Sequence, residues 1–401
     1  MRRFYIHILT FSLLLTACSS EDTKSAADSG VAISFSTTMP TATRAANAIN
    51  KNTHLKNAGG FGVFGCYTGL HRYSDSNVRP DFMYNEHVTS ADGTTWTYSP
   101  LKYWPNGEGV TSDGSVTGDN PHYVSFMAYA PYSDNYTGAS GYCIPSFSLQ
   151  GEIGNPWLTY RIHNDVSQQV DLLYARHSDE HPILDQTKPL ATDSKVLFDF
   201  KHALACVGDK ITIICSSGIK NQVDSRVVGG VTQARVVIKN FKIEYTLTSK
   251  ARLVLWNQGE PNWQAIFSEA PICERTVTIV PSESYTELPV YTSTSPSGSD
   301  AVSYLVEGKG VFYIPKDLQG YPQTAKITVT YCISTYNGCW TDDSDNTGSA
   351  TISMKEEYPD AYQPGKHLYF NITLNQMSIG LTAAIAPWEV ADPVEIEGIE
   401  E

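Results

Sequence analysis

The sequence predicts an all-β fold. Apolar residues recur at every second position in several short runs, which is the period of a strand with one buried face. No sustained 3.6-residue period of the kind that marks a helix accompanies them. The 401-residue chain also has 29 Gly, 21 Pro and 24 Tyr, a composition that suits strands and turns. Many short strands separated by turn residues indicate a sandwich or a barrel.

The first thirty residues are organised as an export signal followed by a tether. Two arginines precede an apolar run at residues 4–15, which is too short to span a bilayer. The run ends in "LTAC", which resembles the lipobox of bacterial lipoproteins. We therefore expect residues 1–17 to be a cleaved signal peptide, Cys18 to carry lipid and residues 18–30 to be a polar tether. An ordinary signal with a chance cysteine is the alternative.

The alternating runs mark the clearest strands along the chain. In each run the apolar residues occupy one face and polar or small residues occupy the other. The first run stops at Pro40, which cannot continue a paired strand. These runs cover residues 31–35, 241–247, 327–333, 368–374 and 379–385.

A glycine-rich stretch near the start of the chain, "GGFGVFGC", matches the GxGxxG spacing of a dinucleotide-binding loop at Gly60, Gly62 and Gly65. Such a loop needs a buried strand before it and a helix after it, because the helix N-terminus holds the pyrophosphate. Here the preceding segment is polar and the following segment is rich in turn residues. We therefore interpret Phe61 and Val63 as one strand whose small residues admit a close neighbour, and we expect no cofactor.

No other motif predicts catalysis or metal binding. The sequence lacks GxSxG and HExxH. His202 shares a strand face with Phe198 and Phe200, and we interpret it as a core histidine with a backbone partner rather than a catalytic base. The three aspartates of "TDDSDNTG", residues 341–348, could bind calcium, but the glycine and glutamate of a known calcium loop are missing. A solvated hairpin tip is the favoured interpretation.

The cysteines beyond Cys18 number seven, and this odd count with irregular spacing is poor evidence for a disulfide framework. The nearest two are Cys332 and Cys339. A two-residue turn at Asn337 and Gly338 would place Tyr336 opposite Cys339 and keep the two sulfurs apart. We expect most of the cysteines to be small buried hydrophobic residues.

The net charge and the aromatic segments indicate which classes of ligand the protein could bind. A formal net charge of −14 argues against nucleic acid, because phosphate binding needs clustered lysine and arginine. Two aromatic segments, residues 96–105 and 256–263, could stack on sugar rings. We favour the interpretation that these aromatic residues occupy core or sheet-corner positions. There Trp and Tyr bury the ring and leave the polar N–H or O–H group in contact with water.

Several segments together resemble a known family, the fimbrillin-like proteins, which are subunits of type V pili of Gram-negative gut and oral bacteria. The resemblance covers nearly the whole chain and implies two tandem β-sandwich domains of transthyretin-like topology, at residues 31–190 and 191–401. The segments that carry it, in family order, are "GFGVFGCY", "YSPLKYWP", "HYVSFMAYAP", "VDLLYA", "FKHAL", "YIP", "YQPGKHLYFNITL" and "IAPWE".

The resemblance also implies a mode of assembly. Subunits reach the cell surface as outer-membrane lipoproteins, an arginine-specific protease removes an N-terminal strand, and a strand of a neighbouring subunit fills the groove. Residues 31–37 match the removable strand, and Arg44 and Ala45 flank the expected cut; an ordinary loop arginine is the alternative. The expected partners are other pilus subunits, the outer membrane through the lipid on Cys18, and a ligand on a host or bacterial surface.

Two other function classes stay open from the residues alone. A surface lipoprotein that binds polysaccharide for glycan uptake would use the exposed aromatic residues. A secreted β-sandwich hydrolase would need two convergent carboxylates. Neither class explains the ordered segments, so a pilus subunit without enzymatic activity is the prediction. Whether the subunit belongs to the shaft, tip or anchor is left open.

Overall fold

The computed structural model describes most of the chain, and its secondary structure is dominated by strands, which confirms the all-β class. Within this part of the chain, no helix combines the length and the apolar character needed to cross a membrane. The described residues are 28–40, 48–69, 73, 78–105, 123–134, 143–176, 195–256, 260–266, 270–280, 289–295, 298–300, 304–307, 310–360, 362–375 and 378–387.

The strands in the first half of the chain are short. They are β1 Asp28–Ala32, β2 Phe35–Thr38, β3 Phe61–Gly69, β4 Met83–Ser90, β5 Trp96–Thr97, β6 Tyr103–Pro105, β7 Tyr123–Ala130, β8 Cys143–Phe147, β9 Trp157–Arg161, β10 Leu173–Arg176, β11 Val196–Asp199 and β12 Lys201–His202. A short helix, α1, spans Asn52–Asn57, and a 3-10 turn spans Val166–Gln168.

The second half contains the longest strands. They are β13 Ala205–Cys215, β14 Gln233–Thr248, β15 Lys250–Val254, β16 Asn262–Gln264, β17 Ile272–Val280, β18 Pro289–Ser295, β19 Gly298–Asp300, β20 Tyr304–Glu307, β21 Val311–Tyr313, β22 Thr324–Tyr336, β23 Trp340–Asp342, β24 Asn346–Ser353, β25 Lys366–Asn375 and β26 Ser378–Pro387. Helix α2 spans Ser217–Asp224 and α3 spans Met354–Glu357. Neither helix is long enough to leave a clear periodic signal in the sequence.

The glycine-rich stretch forms strand β3, inside a six-stranded sheet of order β12-β10-β7-β3-β4-β5. Both faces of this strand are buried, because Phe61 and Val63 lie in one hydrophobic core and Phe64 in another. A Cβ atom on Gly62 would lie 2.3 Å from the Tyr129 ring. The interpretation of one strand with a close neighbour is therefore confirmed, and the residues after Gly65 continue the strand where a nucleotide-binding loop would start a helix.

Two further large sheets build the second half. One has seven strands arranged around β14 and β22, and the other has five arranged around β13 and β25. Strands β13 and β25 run parallel, whereas β14 and β22 pair antiparallel over most of their lengths. The alternating residues predicted for β14, β22 and β25 are buried and face each other between these two sheets. We call this cluster the second core.

Two other clusters complete the interior. The first core lies between the six-stranded sheet and the N-terminal strands, and includes Phe35, Phe61 and Phe198. The third core lies on the opposite face of the six-stranded sheet, where Phe64 and Tyr129 meet Leu253 of β15. A four-stranded sheet of order β16-β15-β9-β8 borders the third core and joins strands from both halves of the chain.

The division of the chain at residues 190 and 191 stays a prediction, as do the number of domains and their transthyretin-like topology. Strands β11 and β12 follow that division in sequence, yet they pair with β2 and β10 of the first half. The chain then enters the third core at Ala203 and Leu204 and the second core at Ala205. These contacts favour a division close to residue 203.

The hairpin between β22 and β23 differs from its prediction. Tyr336 pairs with Trp340 rather than with Cys339, because the turn contains three residues and Gly338 adopts φ +79°. Cys332 and Cys339 are nevertheless both free, as expected. Cys66, Cys206, Cys215 and Cys332 are buried, which confirms their interpretation as core residues.

Candidate functional site: the N-terminal strand and its groove

Residues 28–38, which we call the N-terminal strand, lie between two strands that come from distant parts of the chain. Strand β1 pairs antiparallel with β6, and β2 pairs parallel with β11. Between them, the Ile33 amide donates to the Lys102 carbonyl at 2.8 Å, and the Ser34 carbonyl accepts from the Val196 amide at 2.9 Å. The N-terminal strand therefore has two ladder partners in succession, β6 along its first half and β11 along its second half.

Side chains of the N-terminal strand alternate between the interior and the outer face. Ile33 and Phe35 are each 1% exposed and belong to the first core. Ser34 and Ser36 are only partly buried. The predicted alternation is confirmed at these positions, whereas the side chain of Val31 lies outside the described part of the structure.

Phe35 fills the deepest position of the strand. Its ring stacks on Phe198 with a centroid distance of 5.4 Å and approaches Tyr98 at 5.5 Å. Edge-to-face contacts with Phe126 at 5.9 Å and Phe61 at 6.3 Å close the pocket. Aromatic pairs in these geometries stabilise beyond the area that they bury. We call the strands β6 and β11 together with these four rings the groove.

Polar contacts hold the strand on either side of Phe35. The Tyr98 hydroxyl donates to the Ile33 carbonyl at 3.0 Å, and burial raises the pKa of Tyr98 to about 12, so this donor stays protonated. The Trp96 indole N–H donates to the Thr37 hydroxyl at 3.0 Å. The Thr38 hydroxyl donates to Asp199 at 2.6 Å. Together these bonds fix the register of the strand in its groove.

The C-terminal strand β26 is the other segment relevant to strand exchange. It pairs antiparallel with β25 along its whole length, from Ser378 opposite Asn375 to Pro387 opposite Lys366. In the described part of the five-stranded sheet β26 is an edge strand, with β25 as its ladder partner. Ile379 lies in the second core. The side chains that follow, including the predicted alternating residues 381–385, lie outside the described part.

Three residues predicted as sites fall outside the described residues. These are Cys18, the predicted lipid attachment point, and Arg44 and Ala45, the residues that flank the predicted cut. The described chain resumes at residue 48, where Ala48 and Ile49 are buried.

His202 has a different partner from the one predicted. Its Nδ1 lies 2.7 Å from the Asp171 carboxylate, and both side chains are almost completely buried. The interpretation as a core histidine is confirmed, but Nδ1 has a carboxylate partner where a backbone partner was predicted. Alternation identifies the buried face but not the residue that another segment brings to it. The same Asp171 oxygen accepts from the Ile49 amide at 3.2 Å.

A second buried histidine lies close by. His367 Nδ1 is 3.9 Å from Asp209, and burial, followed by the charge of the neighbouring His202, lowers the pKa of His367 to about 3. This imidazole is therefore neutral at neutral pH. Among the described residues, no group of three or more His, Cys, Asp and Glu side chains could hold a metal ion.

The aspartate-rich hairpin is bound by cations of the protein itself. Lys239 lies 3.0 Å from Asp342 and 3.2 Å from Asp345, and Arg226 lies 2.5 Å from Asp343. The hydrogen bond that Lys239 donates to Asp342 is the largest cause that raises the pKa of Lys239. These pairs account for the acidic side chains and favour the interpretation as a hairpin tip.

The aromatic segments are mainly structural. Trp96 and Trp104 are buried in the first core, and Trp263 lies in the third core, where its indole N–H donates to the Ala203 carbonyl at 3.1 Å. Trp256 stacks on Tyr73 at 3.7 Å. The core interpretation is thus confirmed for three of the tryptophans, and those rings are not available as platforms for sugars.

An open cavity of about 260 Å³ borders the second core. It is bordered by helix α2 and strand β22, beyond the end of β25. Its lining combines Ile219, Tyr331 and Ile333 with the polar side chains of Gln222, Asp343 and Asn346. Asp343 is already paired with Arg226, so the cavity contains one neutralised charge.

Comparisons with known proteins agree with this architecture. The fimbrium subunit Fim1C of Phocaeicola vulgatus is 25% identical over 348 residues, which cover 83% of this chain and 83% of that protein. The chain is a relative of fimbrium subunits. This finding confirms the resemblance to fimbrillin-like proteins that the ordered segments predicted. No family model matches the chain.

A solved structure shows the same fold. The crystal structure of a fimbrial protein from Bacteroides vulgatus superposes with a TM-score of 0.56 at 18% identity, covering 89% of this chain and 99% of that chain. The name of the Phocaeicola vulgatus relative, a fimbrium subunit, agrees with the prediction of a pilus subunit without enzymatic activity.

Proposed function

We propose that this protein is a subunit of a cell-surface fimbrium and that it polymerises by exchange of its N-terminal strand. The observation that carries the proposal is the position of residues 28–38, which pair first with β6 and then with β11 and bury Ile33 and Phe35 in the first core. Arg44 follows this strand in the sequence and precedes the buried Ile49. A single cut there separates the strand from the rest of the chain without breaking any of its non-covalent contacts.

Loss of the strand would leave backbone groups and aromatic rings of the groove without their partners. Strands β6 and β11 would each lose a ladder partner, and the rings of Phe61, Phe126 and Phe198 would lose their contact with Phe35. Unpaired strand edges beside exposed apolar surface readily bind another strand. Main-chain hydrogen bonds then supply affinity, and the side-chain pockets supply specificity.

The C-terminal strand β26 is the proposed donor. In its own subunit it pairs with β25, whereas in a neighbour's groove it would pair in succession with β6 and β11. Its predicted alternation has the two-residue period that the groove accepts from Ile33 and Phe35.

The strand directions are compatible with this transfer. The N-terminal strand runs parallel to β11, and therefore towards the third core. Strand β26 begins at Ser378, opposite Asn375 of β25. We propose that it enters a neighbour's groove in the same direction as the strand that it replaces.

The cleavage step is tested on soluble protein that starts at residue 19. Limited trypsin treatment is expected to cut early after Arg44 and to yield ladders or filaments, whereas Arg44→Ala should stay monomeric under the same treatment. Arg79→Ala, which alters an exposed arginine elsewhere, is the matched control and should assemble like the wild type. Cut protein that stays monomeric, or an Arg44 variant that assembles equally well, would exclude cleavage as the trigger and favour an uncut anchor or accessory subunit.

We further propose that lipid on Cys18 attaches the protein to the outer membrane, on the cell surface. Glu21 and Asp22 follow the cysteine closely, as in the acidic export signals of surface lipoproteins. Cys18→Ala should abolish incorporation of labelled palmitate and leave unprocessed precursor. Cys339→Ala, which removes an exposed free thiol, should leave labelling unchanged. Normal labelling of the Cys18 variant would refute the anchor.

A further inference from the structure

We infer that the buried Asp171–His202 pair is a positioning device that keeps the groove open for an incoming strand once the N-terminal strand has left. The inference rests on the proposed exchange of that strand. One carboxylate oxygen of Asp171 lies 2.7 Å from His202 Nδ1 and 3.2 Å from the Ile49 amide nitrogen. Three segments of the chain therefore meet at one atom.

The pair is rigid because it is buried and connected. Asp171 is 0% exposed, and Ile49 and His202 are each 4% exposed. A carboxylate in such surroundings is strongly destabilised if a partner is removed, so its contacts persist. All three residues belong to the part of the chain that stays after a cut following Arg44.

One end of the pair stabilises a wall of the groove. Strand β11 loses its ladder partner when β2 leaves, and it is then held through its continuation into β12. His202 is the last residue of β12 and pairs with Leu173 of β10. The bond to Asp171 fixes β12 by its side chain as well as by its backbone, so β11 keeps its position beside the empty groove.

The other end fixes the new start of the chain. After the cut, residues 45–48 would precede Ile49, and the bond from the Ile49 amide to Asp171 limits fraying to those four residues. Without this bond, the loosened segment and β11 could both collapse onto the exposed rings of the groove. A collapsed groove would bind the incoming strand more weakly, because the groove would have to reopen first.

The test uses the chain from residue 19 with a recognition site for a specific protease inserted after Arg44. The cut then occurs whether or not Arg44 is a natural cleavage point. After cleavage the released strand is removed in mild denaturant, which gives what we call the stripped protein. Binding of a fluorescent peptide with the sequence of residues 28–38 to the stripped protein is then measured. Asp171→Asn is compared with Asp209→Asn, a control that alters another buried carboxylate in the second half of the chain.

Asp171→Asn is expected to weaken peptide binding at least tenfold and to increase hydrogen exchange of the Ala203 amide, which donates to the Leu172 carbonyl, in the stripped protein more than in the uncut protein. Asp209→Asn should change peptide binding less than threefold. Equal effects of the two substitutions on peptide binding would overturn the inference. His202→Gln, which keeps a neutral hydrogen-bond donor, should give an intermediate loss.

A measurement on the wild-type protein keeps the test decisive even if the variants do not fold. In the stripped protein the Ile49 amide, which donates to Asp171, and the Ala203 amide, which donates to the Leu172 carbonyl beside the pair, should remain protected from hydrogen exchange. Exchange at the rate of an unstructured chain would refute the role of the pair. If the chain without the inserted protease site is not cut at Arg44, or does not form filaments, that result would instead count against the proposed function alone.

Discussion

Phe35→Ala is the substitution that examines the groove most directly. The Phe35 ring is 1% exposed and contacts four other aromatic rings with centroid distances between 5.4 and 6.3 Å. Truncation to alanine removes these contacts and leaves a cavity that the surrounding rings fill only partly. Phenylalanine-to-alanine changes in such cores cost about 3–5 kcal/mol. We expect a loss of this size in the free energy of unfolding of the uncut protein.

The assay is equilibrium denaturation of the uncut chain, followed by intrinsic fluorescence. The same change in a peptide of residues 28–38 should weaken its binding to the stripped protein by about two to three powers of ten, because each 1.4 kcal/mol corresponds to a factor of ten. Ser36→Ala is the matched control, since Ser36 neighbours Phe35 on the partly buried face, and it should change stability by less than about 0.5 kcal/mol. A loss below about 1 kcal/mol for Phe35→Ala would show that the ring is not part of a packed groove.

Two further substitutions examine the rest of the fold. Gly62→Ala should destabilise the protein by about 1–3 kcal/mol in denaturant titrations, because the added Cβ would lie 2.3 Å from the Tyr129 ring. Gly218→Ala in helix α2 is the control. Its Cβ would meet no atom closer than 3.9 Å, so this change should be neutral or slightly stabilising. Equal effects of these two changes would contradict the packing. The pKa of His367 is lowered from its ordinary value of 6.5 to about 3 in the folded protein. Between pH 3 and pH 6.5 the unfolded chain therefore binds more protons than the folded chain. The contribution of His367 to stability should be full above pH 6.5 and should decrease as the pH falls towards 3. Between pH 6.5 and 4.5 the free energy of unfolding should fall by about 2–3 kcal/mol more in the wild type than in His367→Gln, and parallel profiles would exclude this histidine as the cause.

The sequence predicted the faces of the strands better than their neighbours. The alternation of Ile33 and Phe35 identifies the buried side correctly, because a two-residue period follows directly from strand geometry. It contains no information about pairing, and the partner of Thr38 is Asp199, which is 161 positions away in the chain. The parallel pairing of β2 with β11 therefore had to come from the structure.

The buried contact between Asp171 and His202 was missed for a related reason. Asp171 stands in the apolar stretch "QVDLLYA", and a single charge within an apolar run is a recognisable signal of a buried polar contact. The signal does not name the partner, so His202 received a backbone partner in the prediction. Ile49, which completes the arrangement, is an ordinary apolar residue in sequence and contributes only its amide.

Chain connectivity explains why a cut can control exchange. The uncut N-terminal strand is tethered beside its groove, so its effective concentration there is on the order of millimolar or higher, and an external strand competes poorly. A cut after Arg44 removes none of the contacts of Phe35, Thr37 or Thr38, but it removes that advantage. The resident strand and a neighbour's strand then compete by affinity alone. Under the proposed mechanism the resident strand covers the aromatic floor of the groove until the cut is made, so the subunit would not expose an adhesive strand edge before processing.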